Sequence, residues 1–119
     1  MRKTFTLTIL SILLSSTFIF AQSKVTRYCE VIAEANSSRT LDEKVILKIV
    51  LGKNEGYFSF RDTSIVKQLK KVNELNTTTD LINYMSTNGW EIMNMIPSTA
   101  PVSRRNYYFK REFDKSDFQ

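Results

Sequence analysis

The chain has 119 residues, with 17 Lys and Arg against 12 Asp and Glu, no histidine and one cysteine. The missing imidazole excludes Ser-His and Cys-His activation of a nucleophile and removes the commonest metal ligand. The lone Cys29 excludes an intramolecular disulfide and a cysteine-built metal site.

Residues 1–21 read as a secretory leader: Arg2 and Lys3 supply the positive start, residues 7–20 an apolar run, and Ala21 a small residue at the cleavage point. A membrane anchor would need about 20 apolar residues, and this run is shorter and interrupted by Thr and Ser. Cleavage before Gln22 leaves 98 residues (119 less 21) with 15 basic and 12 acidic side chains, a net +3. That length sets a single domain with a small core. So mild a charge on an exported chain argues against a nucleic-acid partner. No integral membrane anchor is expected once the leader is gone.

Residues 24–35 alternate as a first strand, with Cys29, Val31 and Ala33 on one face and Tyr28, Glu30, Ile32 and Glu34 on the other. Cys29 reads either as a buried free thiol or, after export to an oxidising compartment, as an intermolecular disulfide partner. Arg27, on the same strand face, is the nearest cation that could activate it. A polar connection over 36–42 follows. Residues 43–51 make the strongest strand by composition, apolar on both faces, which is the mark of a central strand or of one covered by a partner. Residues 52–56 then turn the chain into Tyr57-Phe58-Ser59-Phe60, an antiparallel return. Their glycines do not make a phosphate loop, because no Lys-Ser/Thr pair and no helix follow.

Residues 61–76 admit two readings. One is a short helix with Ile65, Val66, Leu69 and Val72 inward and Lys67, Lys70 and Lys71 outward; the other is an irregular connection with a brief strand near 69–75. The next stretch is clearer. Thr77 and Asp80 have the spacing of an N-terminal cap, Leu81, Ile82, Tyr84 and Met85 share a face, and Asn88-Gly89 is a stop. The pattern predicts a helix over 77–88 and a buried strand over 90–96, with Trp90, Ile92 and Ile96 on one face and Glu91, Met93 and Met95 on the other. Trp90, the sole tryptophan, reads as core beneath Leu81 and Met85 or as a ligand-stacking platform. Residues 97–105 hold both prolines in a nine-residue connection of the kind that carries binding groups. Residues 106–113 form the closing strand, and 114–119 a frayed tail. The sum is an α+β domain: an antiparallel sheet of four or five strands with one main helix, about 77–88, packed on one face.

Tyr28-Cys29-Glu30, the Asn83-Tyr84-Met85 and Asn88-Gly89-Trp90-Glu91 pair, and the closing Tyr108-Phe109-Lys110-Arg111-Glu112 resemble a family of small exported Bacteroidota proteins. The second half is also similar to a wider group of small bacterial domains of unknown function. Neither group has an assigned activity, so the resemblance implies the fold and a Gram-negative envelope location, periplasmic or secreted, and transfers no functional residue.

Two functions remain. The first is a non-catalytic binding or protein-interaction module of the envelope, taking an unknown protein or envelope ligand and compatible with a homo-oligomer. Its candidate binding residues are Arg104, Arg105, Tyr108 and Lys110, basic groups interleaved with aromatics. The second is a small envelope hydrolase using carboxylates placed across strands. Within one strand, Glu30 and Glu34 share a face but stand roughly 13 Å apart at a strand's rise, beyond the ~5–9.5 Å of glycosidase pairs. No catalytic residue, metal site or cofactor is expected; the acids near 42–43 and 114–117 lack calcium-loop spacing.

Overall fold

The structure is a computed structural model that describes residues 23–35, 44–98 and 103–118. The leader, the 36–42 connection, Gln119 and the middle of the 97–105 connection therefore lie outside the described residues. Four strands, β1 (Lys24–Ala35), β2 (Val45–Val50), β3 (Glu91–Ser98) and β4 (Arg104–Asp114), form one antiparallel sheet in the order β2-β1-β4-β3. Two helices, α1 (Ser64–Lys70) and α2 (Thr78–Thr87), and a 3₁₀ turn at Lys71–Glu74 lie between β2 and β3 in the chain. The α+β architecture expected from the sequence is the one observed. Among the described residues no helix is long and apolar enough to cross a membrane.

One face of the sheet carries the core. The odd-numbered residues Cys29, Val31, Ala33 and Ala35 of β1, Val45 and Leu47 of β2, and Tyr107, Phe109 and Phe113 of β4 are buried. Paired strands bring them together because a strand sends alternate side chains to one face. Leu69 and Val72 close over this face from the α1 segment, with Leu81 and Met85 from α2. Of the two readings of 61–76 the helix holds: Leu69 and Val72 point inward and Lys67, Lys70 and Lys71 are exposed. The Tyr84 hydroxyl donates to the Gln68 carbonyl at 3.0 Å and ties the two helices.

The helix end is built as its residues dictate. The Thr77 hydroxyl accepts from the Asp80 N–H at 3.1 Å, satisfying a donor that has no partner in the first turn. Gly89 takes φ 81°, a left-handed conformation that lets the chain reverse after the last turn. Trp90 N–H then donates to the Met85 carbonyl at 2.9 Å, and the indole is buried edge-on against Phe113, 5.8 Å between centroids. Of its two sequence readings, core is the one observed.

Five local expectations change. Residues 91–98 are not a buried strand: β3 is a sheet edge and all eight of its residues are exposed. An irregularity between Ile92 and Asn94 also shifts the alternation, so Ile92 faces Phe109 and Met95 faces Tyr107 on the same side of the sheet. The expected grouping of Ile92 with Ile96 fails for that reason. The apolar strand over 43–51 is likewise an edge, not central; β1 and β4 hold the middle. Two of its outer N–H groups are met without a strand, Val45 by the Asn76 carbonyl at 2.8 Å and Ile49 by the Asn73 side chain at 2.9 Å.

The return expected over 57–60 is instead a 3₁₀ turn at Glu55–Phe58 followed by a single bridge between Phe60 and Phe118. The stretch expected to fray docks through that bridge. Asp114 and Asp117 cap a 3₁₀ turn reciprocally, the Arg61 N–H donates to the Asp117 carbonyl at 2.8 Å, and the Phe118 ring lies 4.7 Å from Phe60.

Candidate functional site

The other face of the sheet has no helix over it among the described residues. The even-numbered residues of β1 and β4 point there, and register fixes who meets whom: Glu34 opposite Arg104, Ile32 opposite Asn106, Glu30 opposite Tyr108, and Tyr28 opposite Lys110. Glu30 Oε1 accepts from Asn106 Nδ2 at 2.6 Å and from the Tyr108 hydroxyl at 3.2 Å. Arg104 Nε donates to Asn106 Oδ1 at 3.1 Å, and Arg104 Nη1 lies 3.7 Å from Glu34 Oε1. Lys110 Nζ sits 3.5 Å from Glu91 Oε2 on β3. These are half-exposed pairs, all across strands except Arg104 with Asn106, each worth less than about 1 kcal/mol.

At one end of this face the sheet narrows. β2 pairs with β1 from Ala35 only as far as Glu30, where Val50 is opposite, whereas β4 runs beside β1 to Lys24. Two residues beyond Val50, Gly52 adopts φ 87° and turns the chain away; a Cβ built there would meet nothing within 4 Å. The departure opens a groove of about 550 Å³ bounded by β1 from Thr26 to Glu30, by Val50, Leu51 and Gly52, by Tyr57 and Phe58, and by Tyr108. A volume of this size is ordinary for a small-ligand or side-chain pocket, about 300–1,000 Å³. Tyr28 and Tyr57 rise from its walls, 58% and 54% exposed.

Arg27 holds the Tyr57 wall in place. Its Nε donates to the Tyr57 carbonyl at 2.7 Å, and its guanidinium stacks 5.3 Å from the Tyr57 ring centroid and 4.6 Å from that of Phe118. Arg27 is thus engaged with aromatic rings and a carbonyl. Cys29 is a free, buried thiol whose pKa burial pushes up to about 12 from the ordinary 9.0. A protonated, enclosed thiol is a poor nucleophile and a poor disulfide partner.

Of the four residues singled out in the sequence, Arg104, Tyr108 and Lys110 share the open face, and only Tyr108 lines the groove. Arg105 falls on the other side, opposite Ala33 and Pro97, because it is one residue out of phase. Sequence reasoning passed over Tyr28, Tyr57 and Val50 as parts of a site. The one signal for them was the glycine at 52 ending an apolar strand, which marks where a sheet loses a neighbour. The arrangement offers flat aromatic surface, apolar walls and one hydrogen-bonded carboxylate, a set suited to holding a ligand. Among the described residues no group of three or more His, Cys, Asp or Glu is placed to hold a metal ion. Searches against protein-family models, curated proteins and solved structures find no match to this chain.

Proposed function

We propose that the chain is an exported, non-catalytic binding module of a Gram-negative envelope, and that its ligand site is the groove beside Tyr28, Tyr57, Tyr108 and Glu30. The observation that carries this reading is the groove itself: about 550 Å³, formed where β2 leaves β1, with three tyrosines around it and one carboxylate already oriented by two donors. Aromatic walls that stay exposed suit a partner, because tyrosine offers large contact area at low entropic cost and a polar tip. Arg104 and Lys110 flank the site on the same face and would meet a ligand that extends along it. The carboxylates that a hydrolase would need serve here as acceptors: Glu30 for Asn106 and Tyr108, Glu34 for Arg104, Glu91 for Lys110. Export rests on Arg2, Lys3, the apolar run and Ala21.

The test is chemical cross-linking of the exported protein in its own cells, read by mass spectrometry. Adducts should map to residues 26–30 and 50–58 and disappear in a Tyr28→Ala/Tyr57→Ala variant. Adducts that survive the double substitution would place the site elsewhere. The same sample, sequenced from its N-terminus, should begin at Gln22; an intact Met1 would remove the argument for export.

A further inference from the structure

The groove runs along the edge of a strand, and that limits what can fill it. Its lining includes Thr26, Arg27, Tyr28, Cys29 and Glu30, five consecutive residues. In a strand, consecutive side chains point to opposite faces. A pocket lying over one face would touch every second residue; one that touches all five lies against the strand's side, where the main chain is reached. Cys29 lies on the core face and Tyr28 and Glu30 on the open face, yet all three line the groove.

The register says which main-chain groups face that edge. By alternation the outward N–H groups of β2 are those of Val45, Leu47 and Ile49, the first and last bonded to Asn76 and Asn73, so Ile46, Lys48 and Val50 turn theirs toward β1. Their partners there are Glu34, Ile32 and Glu30. Continuing the alternation, Thr26 and Tyr28 turn their N–H and C=O groups the same way, into the groove, past the point where β2 ends. The Thr26 carbonyl also accepts from Arg27 Nη1 at 3.3 Å, a contact the added strand would share or replace. Gly52, which would lie opposite Tyr28 if β2 continued, has turned away.

We infer that the ligand is an extended peptide segment that adds to the sheet as a strand along Thr26 and Tyr28, prolonging the row that β2 vacates. This rests on the groove being the binding site. Only an extended polypeptide offers donors and acceptors at the two-residue repeat of this edge. Side chains of the added strand on the open face would lie beside Tyr28 and Val50, so an apolar or aromatic residue fits there. A Lys or Arg next along the same face would stand opposite Thr26, whose neighbour on β4 is Glu112, while Arg27 is turned to the opposite face and engaged with Tyr57 and Phe118. Along six residues of β1, Lys24 to Cys29, no described strand pairs on the side away from β4, a span of about 20 Å at a strand's rise.

The probe is a phage-displayed library of random heptapeptides, panned on the exported chain and counter-selected on the Tyr28→Ala/Tyr57→Ala variant, whose fold is checked by circular dichroism. The expected result is enrichment of peptides with an apolar residue two positions from a basic one. The best of them is then synthesised plain and with N-methyl groups on either alternate set of residues. Methylating the set that faces β1 should weaken binding about tenfold or more, since it removes the sheet hydrogen bonds, while methylating the other set should change it little. No enrichment over the variant would overturn the peptide assignment. Equal loss from both methylated sets would overturn strand addition. In either case, cross-links that still map to residues 26–30 and 50–58 would leave the groove itself standing as the site, so the two readings fail separately.

Discussion

Val31 and Ala33 of β1 are fully buried, whereas Tyr28 of the same strand and Ile46 of its neighbour β2 are 58% and 56% exposed. The helix side of the sheet is closed by Leu69, Val72, Leu81, Met85 and Trp90, and its side chains serve one another. The open side is held by Glu30, Asn106, Tyr108 and three ion pairs among the described residues, contacts that fix positions while stabilising little. A small domain with its core on one face has surface left on the other to present. Stability and binding should therefore separate by face, and substitution can test whether they do.

The largest effect belongs to the core. Phe109→Ala or Trp90→Ala should each cost about 3–5 kcal/mol in urea unfolding, while Tyr28→Ala, on the open face, should stay within about 0.5 kcal/mol. Equal losses would break the comparison. Gly89→Val comes next. Its φ of 81° strains any β-branched residue, and a Cβ there would stand 3.3 Å from Arg111 Nε, whose guanidinium donates to the Asn88 carbonyl at 2.6 Å. A loss of about 1–3 kcal/mol in thermal unfolding is expected; a variant that melts with the wild type would remove Gly89 as the required helix stop.

Cys29 sharpens the contrast through pH. Burial raises its folded pKa to about 12, above the 9.0 of an exposed thiol, so the folded state keeps a proton that the unfolded chain gives up. The contribution is fully present below pH 9 and is lost as pH rises through the folded value. Unfolding measured between pH 8 and 11 should show a decline that Cys29→Ala reduces, and iodoacetamide should label the native chain at pH 8 far more slowly than the urea-unfolded chain. Rapid native labelling would mean the thiol is reachable. The smallest effect is that of Lys110→Ala, which removes the 3.5 Å pair with Glu91 and should cost less than about 1 kcal/mol, less still in high salt.

The two sheet edges carry a second lesson. The β2 edge is closed at Val45 and Ile49 by Asn76 and Asn73. On β3, Ile92, Met93, Met95 and Ile96 are exposed, and no described strand pairs with its outer side. In sequence both segments are apolar runs, the second reading as a buried strand and the first as central or covered by a partner. Pro97 was the overlooked clue, because a proline within a strand is confined to an edge or a bulge.

The helix over 77–88, its Thr77 cap, the Gly89 stop and the buried Trp90 were legible in the sequence because each is set by residues within a few positions of one another. The absent histidine and lone cysteine bounded the chemistry for the same reason: composition needs no fold. Only the tertiary structure decided that the two apolar strands are edges, that Met93 shifts the alternation of β3, and that Arg105 parts from Arg104 and Tyr108. The groove was equally out of reach. Tyr28, Tyr57 and Tyr108 are far apart in the chain and meet through strand register and the early end of β2. Periodicity reports which residues share a face, but whether anything covers that face depends on segments remote in the sequence.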